Sequence, residues 1–118
     1  MPLIDVTYDD TVADSALREL AELLPELVPE AVDCPEDPWA GPVQLGDLEI
    51  RFRPKGPLDV GGLNCVIEVR TKLFANRERD KQRRADLIRD RIAAKVELGA
   101  FGVWLVLAEG AWSQNPPS

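Results

Sequence analysis

Pro2, followed at once by the strand-like run Leu3-Ile4-Asp5-Val6-Thr7-Tyr8, is the residue of this chain best suited to move a proton. Processing that removes Met1, common when the next side chain is small, would leave a prolyl secondary amine at the head of a strand. An α-amino group titrates near about 7.7–8.0, and an apolar pocket disfavours its cation and lowers that value. A general base works best with a pKa close to the operating pH. The chain has no histidine, so a buried terminal amine would have to do this work without one. The bland alternative is a proline that only makes a rigid, readily processed terminus.

The charged residues that could hold a substrate are unevenly placed. Nine cations (Arg70, Lys72, Arg77, Arg79, Lys81, Arg83, Arg84, Arg89, Arg91) stand against Glu78, Asp80, Asp86 and Asp90 between Arg70 and Arg91, although the whole chain carries a net charge of -7. Most of this segment reads as a solvated helix face laced with ion pairs, with one or two cations left for an anion. The overall negative charge argues against nucleic acid or a membrane surface as the main partner. Cys34 and Cys65 lie far apart with no CxxC pattern, which suggests neither a zinc site nor a disulfide framework but two free thiols in or near the core.

These groups need a scaffold, and 118 residues with 45% apolar and 30% charged side chains make one domain with a modest core. No apolar run approaches the roughly 20 residues that span a bilayer and no charged, then apolar, leader opens the chain, so a cytoplasmic protein is expected. Pro2–Tyr8 reads as a strand, Asp9-Asp10-Thr11 as turn and cap, and Val12 to Val28 as a helix with one buried face. Pro25 is expected to kink or restart that helix. Residues 33–42, with Pro35, Pro38, Gly41 and Pro42, read as an irregular connection, and Leu48–Arg53 as a second strand turned by Pro54-Lys55-Gly56-Pro57.

The pattern then repeats. Asn64–Leu73 alternates as a strand, and Asn76 is placed to cap a helix with a stripe of Ala85, Ile88, Ile92 and Val96. Gly99 and Gly102 end that helix, and Val103–Leu107 forms the last strand. Two β-α-β halves of a single domain (about 2–60 and 63–115) follow, with Leu3-Ile4-Asp5-Val6 equivalent to Val66-Ile67-Glu68-Val69 and Pro2 equivalent to Cys65. A crossover through a helix makes each pair of strands parallel, which gives an α/β (α+β) four-stranded sheet with two helices on one face. Its other face, if apolar, would need cover, and a symmetric oligomer supplies it.

In this order the motifs resemble the tautomerase superfamily. The residues that carry the resemblance are the amino-terminal proline, the hairpin Arg53-Pro54-Lys55-Gly56-Pro57-Leu58-Asp59-Val60-Gly61-Gly62, the turn Ala75-Asn76-Arg77-Glu78 and the late strand Val103 to Glu109. The resemblance implies a homotrimer of duplicated units and a cofactor-independent, metal-free tautomerase or isomerase. Its substrate would be a small carboxylated keto or enol compound. It implies Pro2 as the catalytic base and acid and Arg77 as the carboxylate clamp, a role that suits a planar guanidinium. Arg70, Arg79, or Arg51 with Arg53, are the alternative clamps; Glu109 would polarise the substrate and Trp112 would wall the pocket, while Trp104 reads as core or interface packing.

Two departures stand beside this. The first turn, Asp9-Asp10-Thr11, has no arginine where the short tautomerases have one, and the strand arginine of those enzymes falls on Asp47. The alternatives are a proline-based hydratase, decarboxylase or dehalogenase, since the same amine can activate water or form an imine, or a binding protein that keeps the scaffold, which these departures favour.

Overall fold

Alternation along the strands decides what the sheet buries. In a computed structural model, which describes residues 2–37 and 48–115, β1 (Leu3–Tyr8) and β3 (Cys65–Lys72) form the centre of a four-stranded sheet of order β2-β1-β3-β4. The edges are β2 (Glu49–Pro54) and β4 (Phe101–Ala108). β1 runs parallel to β2 and β3 parallel to β4, as crossovers through helices require, while the two units meet antiparallel. In that central ladder Leu3 faces Arg70 and Asp5 faces Glu68. With the equivalence of Leu3 and Val66, this register places the pseudo-twofold axis at the Asp5–Glu68 pair.

One face of the sheet is the core. Ile4 and Val6 from β1 and Cys65, Ile67 and Val69 from β3 are buried against α1 (Asp14–Ala31) and α3 (Lys81–Lys95). From α1 come Ala16, Leu20, Leu24, Leu27 and Val28, and from α3 come Ile88 and Ile92. The three- and four-residue spacing of these positions aligns them on one stripe of each helix. Both cysteines are free and buried.

Pro25 does not break α1, which runs for 18 residues through both Pro25 and Pro29. An interior proline costs about 3 kcal/mol. Leu24, Leu27 and Val28, the buried residues on either side of Pro25, each recover about 1.5–3 kcal/mol only if the helix keeps its phase there. Asp9 forms the expected turn, accepting hydrogen bonds from the Thr11 amide and hydroxyl, but α1 begins later, with Ala13 at its N-cap position and no side-chain cap. Asn76 likewise does not cap: it lies inside a short helix, α2 (Ala75–Arg79), which Asp80 separates from α3. Of the expected stripe, Ile88, Ile92 and Val96 are buried and Ala85 is partly covered.

The uncovered face is mixed in character. Strand alternation assigns to it Glu49, Arg51 and Arg53 from β2, Leu3, Asp5 and Thr7 from β1, Val66, Glu68 and Arg70 from β3, and Trp104 and Val106 from β4. Arg70 pairs with Glu68 at 2.9 Å, and an Arg53 nitrogen lies 3.9 Å from Asp5 Oδ1. Charge lies over β1, β2 and β3 of this face, and its large apolar group is Trp104 at the β4 edge, 65% exposed.

Candidate functional site

Pro2 immediately precedes a central strand and is held by its neighbour, the Glu49 amide donating to the Pro2 carbonyl at 3.2 Å. Its position is therefore fixed by sheet pairing. Continuing the β1–β3 register one residue beyond Leu3 sets Pro2 beside Thr71, and Thr71 in turn pairs with Leu107 of β4. The end of the sheet that carries Pro2 thus also carries the last residues of β3 and β4 and the entry to α2. Pro2 and Thr71 share the parity of Ile4 and Val69, the helix-covered face.

Two buried arginines close this end of the molecule. Arg77, in α2, is 3% exposed and donates from Nε to the Val32 carbonyl at 2.7 Å and from Nη1 to the Lys72 carbonyl at 3.0 Å. Its Nη2 meets Asp37 Oδ2 at 2.8 Å, and the Phe74 ring lies 5.3 Å from the guanidinium carbon. Arg84, in α3, donates from Nη1 to the carbonyls of Ala31 and Asp33 at 3.1 and 2.7 Å, from Nη2 to Asn76 Oδ1 and from Nε to Asp80 Oδ1. The last carbonyls of a helix lack partners inside it and carry partial negative charge, and α1 has no basic residue in its own last turn. The second unit supplies the missing cations. Glu36 completes the tie by accepting the Asn76 amide at 2.8 Å.

Arg77, read from the sequence as the carboxylate clamp, is thus placed facing the protein and engaged by it. Three of its five N–H donors serve two carbonyls and a carboxylate, from the end of α1, the end of β3 and Asp37. Arg70 is exposed, one ladder row from Pro2 but on the opposite face. Arg51 and Arg53 lie on that same opposite face, three and five residues beyond Pro2 along the sheet, so within one chain they are not brought to the proline. Glu109 follows β4 at the end shared with Pro2 and is exposed. Trp112 is also exposed, its Nε1 donating to Gln114 at 2.6 Å. Asp47 lies outside the described residues. Arg84 was missed by the sequence reading, although its place four residues before Ile88 on the buried stripe was the signal.

Elsewhere the charges behave as a solvated face. Lys81 pairs with Glu78, Arg83 with Asp80, Arg89 with Asp86 and Asp90, and Arg91 with Glu30. The hydrogen bonds from Arg84 and Arg83 hold the Asp80 carboxyl down at about 2. Burial, followed by the nearby Asp9 carboxylate, pushes the Cys65 thiol up to about 11, which makes it a poor nucleophile. A cleft of about 320 Å³ lined by Asp14, Leu17, Arg18, Ala21 and Phe52 lies between α1 and β2, toward the far end of β1 from Pro2.

Neither a protein-family model nor a curated protein matches the sequence. Solved structures do match. The chain superposes on malonate semialdehyde decarboxylase with a TM-score of 0.66, covering 98% of this chain and 92% of that one at 14% identity. A fused 4-OT symmetric trimer gives 0.62, with 91% and 85% covered at 13% identity. The fold is that of the tautomerase superfamily. A macrophage migration inhibitory factor-like protein from Entamoeba histolytica gives 0.59, with 97% and 95% covered, also at 13% identity. Proteins of different description thus share one scaffold, and at these identities the likeness is one of fold. Among the described residues no helix is long and apolar enough to cross a membrane.

Proposed function

We propose that this protein is a cofactor-independent tautomerase or isomerase in which Pro2, freed of Met1, takes a proton from a carbon beside a carbonyl and returns it elsewhere on the same small carboxylated substrate. The observation that carries this reading is the placement of Pro2 at the head of a central strand of a tautomerase fold, anchored by the Glu49 amide. A neutral secondary amine there has a lone pair for the proton, and the ring fixes its direction. Arg70, one row from Pro2 though on the opposite face, and Glu109, at the same end of the sheet, are the nearest of the proposed substrate groups along the register, whereas Arg51 and Arg53 would join only across subunits of the proposed homotrimer. A free amine of this kind can instead activate water or release carbon dioxide. The likeness to malonate semialdehyde decarboxylase favours that as the second reading.

Intact mass spectrometry and a screen of 2-hydroxydienoates, phenylenolpyruvate and small β-keto acids test the proposal. Chains that begin at Pro2 and ketonise an enol substrate, with activity abolished when the terminal nitrogen is blocked, support it. Retention of Met1 on active protein would overturn it, because the Pro2 nitrogen would then be an amide with no basicity. Release of carbon dioxide without ketonisation would select the second reading.

A further inference from the structure

Thr71 is 3% exposed, and its hydroxyl oxygen has no hydrogen-bond partner among the described residues. Buried polar groups are nearly always satisfied, so an orphan hydroxyl beside a candidate catalytic group calls for a partner that the unprocessed chain lacks. The register names one. Continued one row past the Leu3–Arg70 pair, the register sets Thr71 opposite Pro2, where cross-strand Cβ atoms would approach to roughly 4.5–5.5 Å, and both positions have the parity of the helix-covered face. While Met1 is attached, the Pro2 nitrogen is a tertiary amide that neither donates nor accepts. Removal of Met1 makes it an amine with one N–H when neutral and two when protonated.

We infer that Thr71 is a positioning residue for the terminal amine: its Oγ1 accepts an N–H of Pro2, which aims the amine's remaining lone pair away from β3 and toward the substrate. The inference rests on the reading of Pro2 as a free amine and adds the group that orients it. The hydrogen bond favours the protonated form, so it raises the pKa of the amine against whatever surrounds it. Those surroundings are charged. Lys72 and Arg70 flank Thr71 on β3, Arg77, paired with Asp37, reaches the Lys72 carbonyl from α2, the Arg84–Asp80 pair lies beside Asn76 of α2, Asp33 follows α1, Glu49 begins β2 and Glu109 follows β4. None of these changes on replacing the hydroxyl of Thr71 by a methyl.

The experiment is an NMR titration of proline-labelled protein whose chains begin at Pro2 by intact mass, read at the Pro2 ring carbons, for wild type, Thr71→Val and Thr71→Ser. Thr71→Val keeps volume and removes the hydroxyl. It should lower the Pro2 pKa by about half a unit or more, and Thr71→Ser should restore it. The acidic limb of kcat/KM should move with the same midpoint. A readout needing no variant is the wild-type Thr71 methyl resonance, which should titrate together with Pro2. A Pro2 pKa unchanged in Thr71→Val, a shift not restored by Thr71→Ser, or a Thr71 resonance indifferent to the Pro2 midpoint would overturn the inference while leaving Pro2 as base intact. A shifted and rescued pKa in a protein inactive on every substrate would support Thr71 and sink the catalytic reading.

Discussion

Replacing Arg77 by alanine should damage the fold before it damages binding. Arg77 is 3% exposed and spends three donors on Val32 O, Lys72 O and Asp37 Oδ2, so Arg77→Ala removes the cation facing a buried carboxylate and the donors to two carbonyls. Breaking a buried pair from one side costs about 3–5 kcal/mol, and the two carbonyl bonds belong to the same loss, not to a separate one. Against a domain stability of about 5–15 kcal/mol that is a large fraction. At about 4 °C per kcal/mol for a domain of this size, Tm should fall by roughly 12–20 °C. Arg77→Lys offers one compact ammonium in place of a planar fork and should lose about half as much. Urea unfolding followed by circular dichroism, at fixed protein concentration, measures this directly. An Arg77→Ala protein within about 1 kcal/mol of wild type, with only KM raised, would refute the argument and return Arg77 to the substrate.

Asp80 is held at about 2 by Arg84 and Arg83, well below the usual carboxylate value of about 3.9. Its bonds therefore stabilise the fold fully above pH about 4 and are lost as pH falls through about 2. The urea midpoint of wild type should decline over that window, and Asp80→Asn should flatten the decline; identical slopes would remove Asp80 as the cause. Gly99 adopts φ +71, and a Cβ there would come within 2.6 Å of Asn64 Oδ1, the acceptor for the Ala100 amide. Gly99→Ala should cost about 1–3 kcal/mol by thermal unfolding, and a neutral result would show that the turn relaxes. Both thiols are buried and that of Cys65 is raised to about 11, so neither should react with an aromatic disulfide at pH 8 until the protein unfolds. Prompt reaction of either would show an opening of the core.

The elements that periodicity marks were legible, because burial of one face dictates them. Ile4 and Val6, Ile67 and Val69, and Leu20, Leu24 and Ile88 all lie where alternation or helical spacing puts them. The parallel pairs and the shared helix face follow from crossover geometry alone. What single-residue chemistry suggested held less well, since Pro25 does not restart its helix and Asn76 lies inside one and does not cap it. The arginines show why the site was harder to read. A run of cations on a helix looks uniform in sequence, yet Arg77 and Arg84 are buried while Arg79 and Arg83 are exposed. The difference lies in which carbonyls the end of α1 presents to them, a contact between residues more than 40 positions apart.

That contact also explains how the fold can hold Pro2 in place at its rim. Pro2 sits at the end of β1, where a chain would ordinarily fray, yet the neighbouring segments are tied from several directions. Arg84 and Arg77 bind the carbonyls that follow α1, Glu36 binds the first turn of α2, and Arg77 reaches back to the last carbonyl of β3. Thr71 lies one residue before that carbonyl, so the hydroxyl proposed to orient the amine is itself held by the arginine network. If so, the two effects are coupled. Arg77→Lys, which should remain folded, ought to loosen Thr71 and reduce the Pro2 pKa difference between wild type and Thr71→Val, whereas a conservative change on the open face such as Arg53→Lys should leave that difference unaltered. A double-mutant cycle of the Pro2 midpoint over Arg77→Lys and Thr71→Val measures the coupling. Strict additivity would show that the arginines brace the fold without reaching the amine.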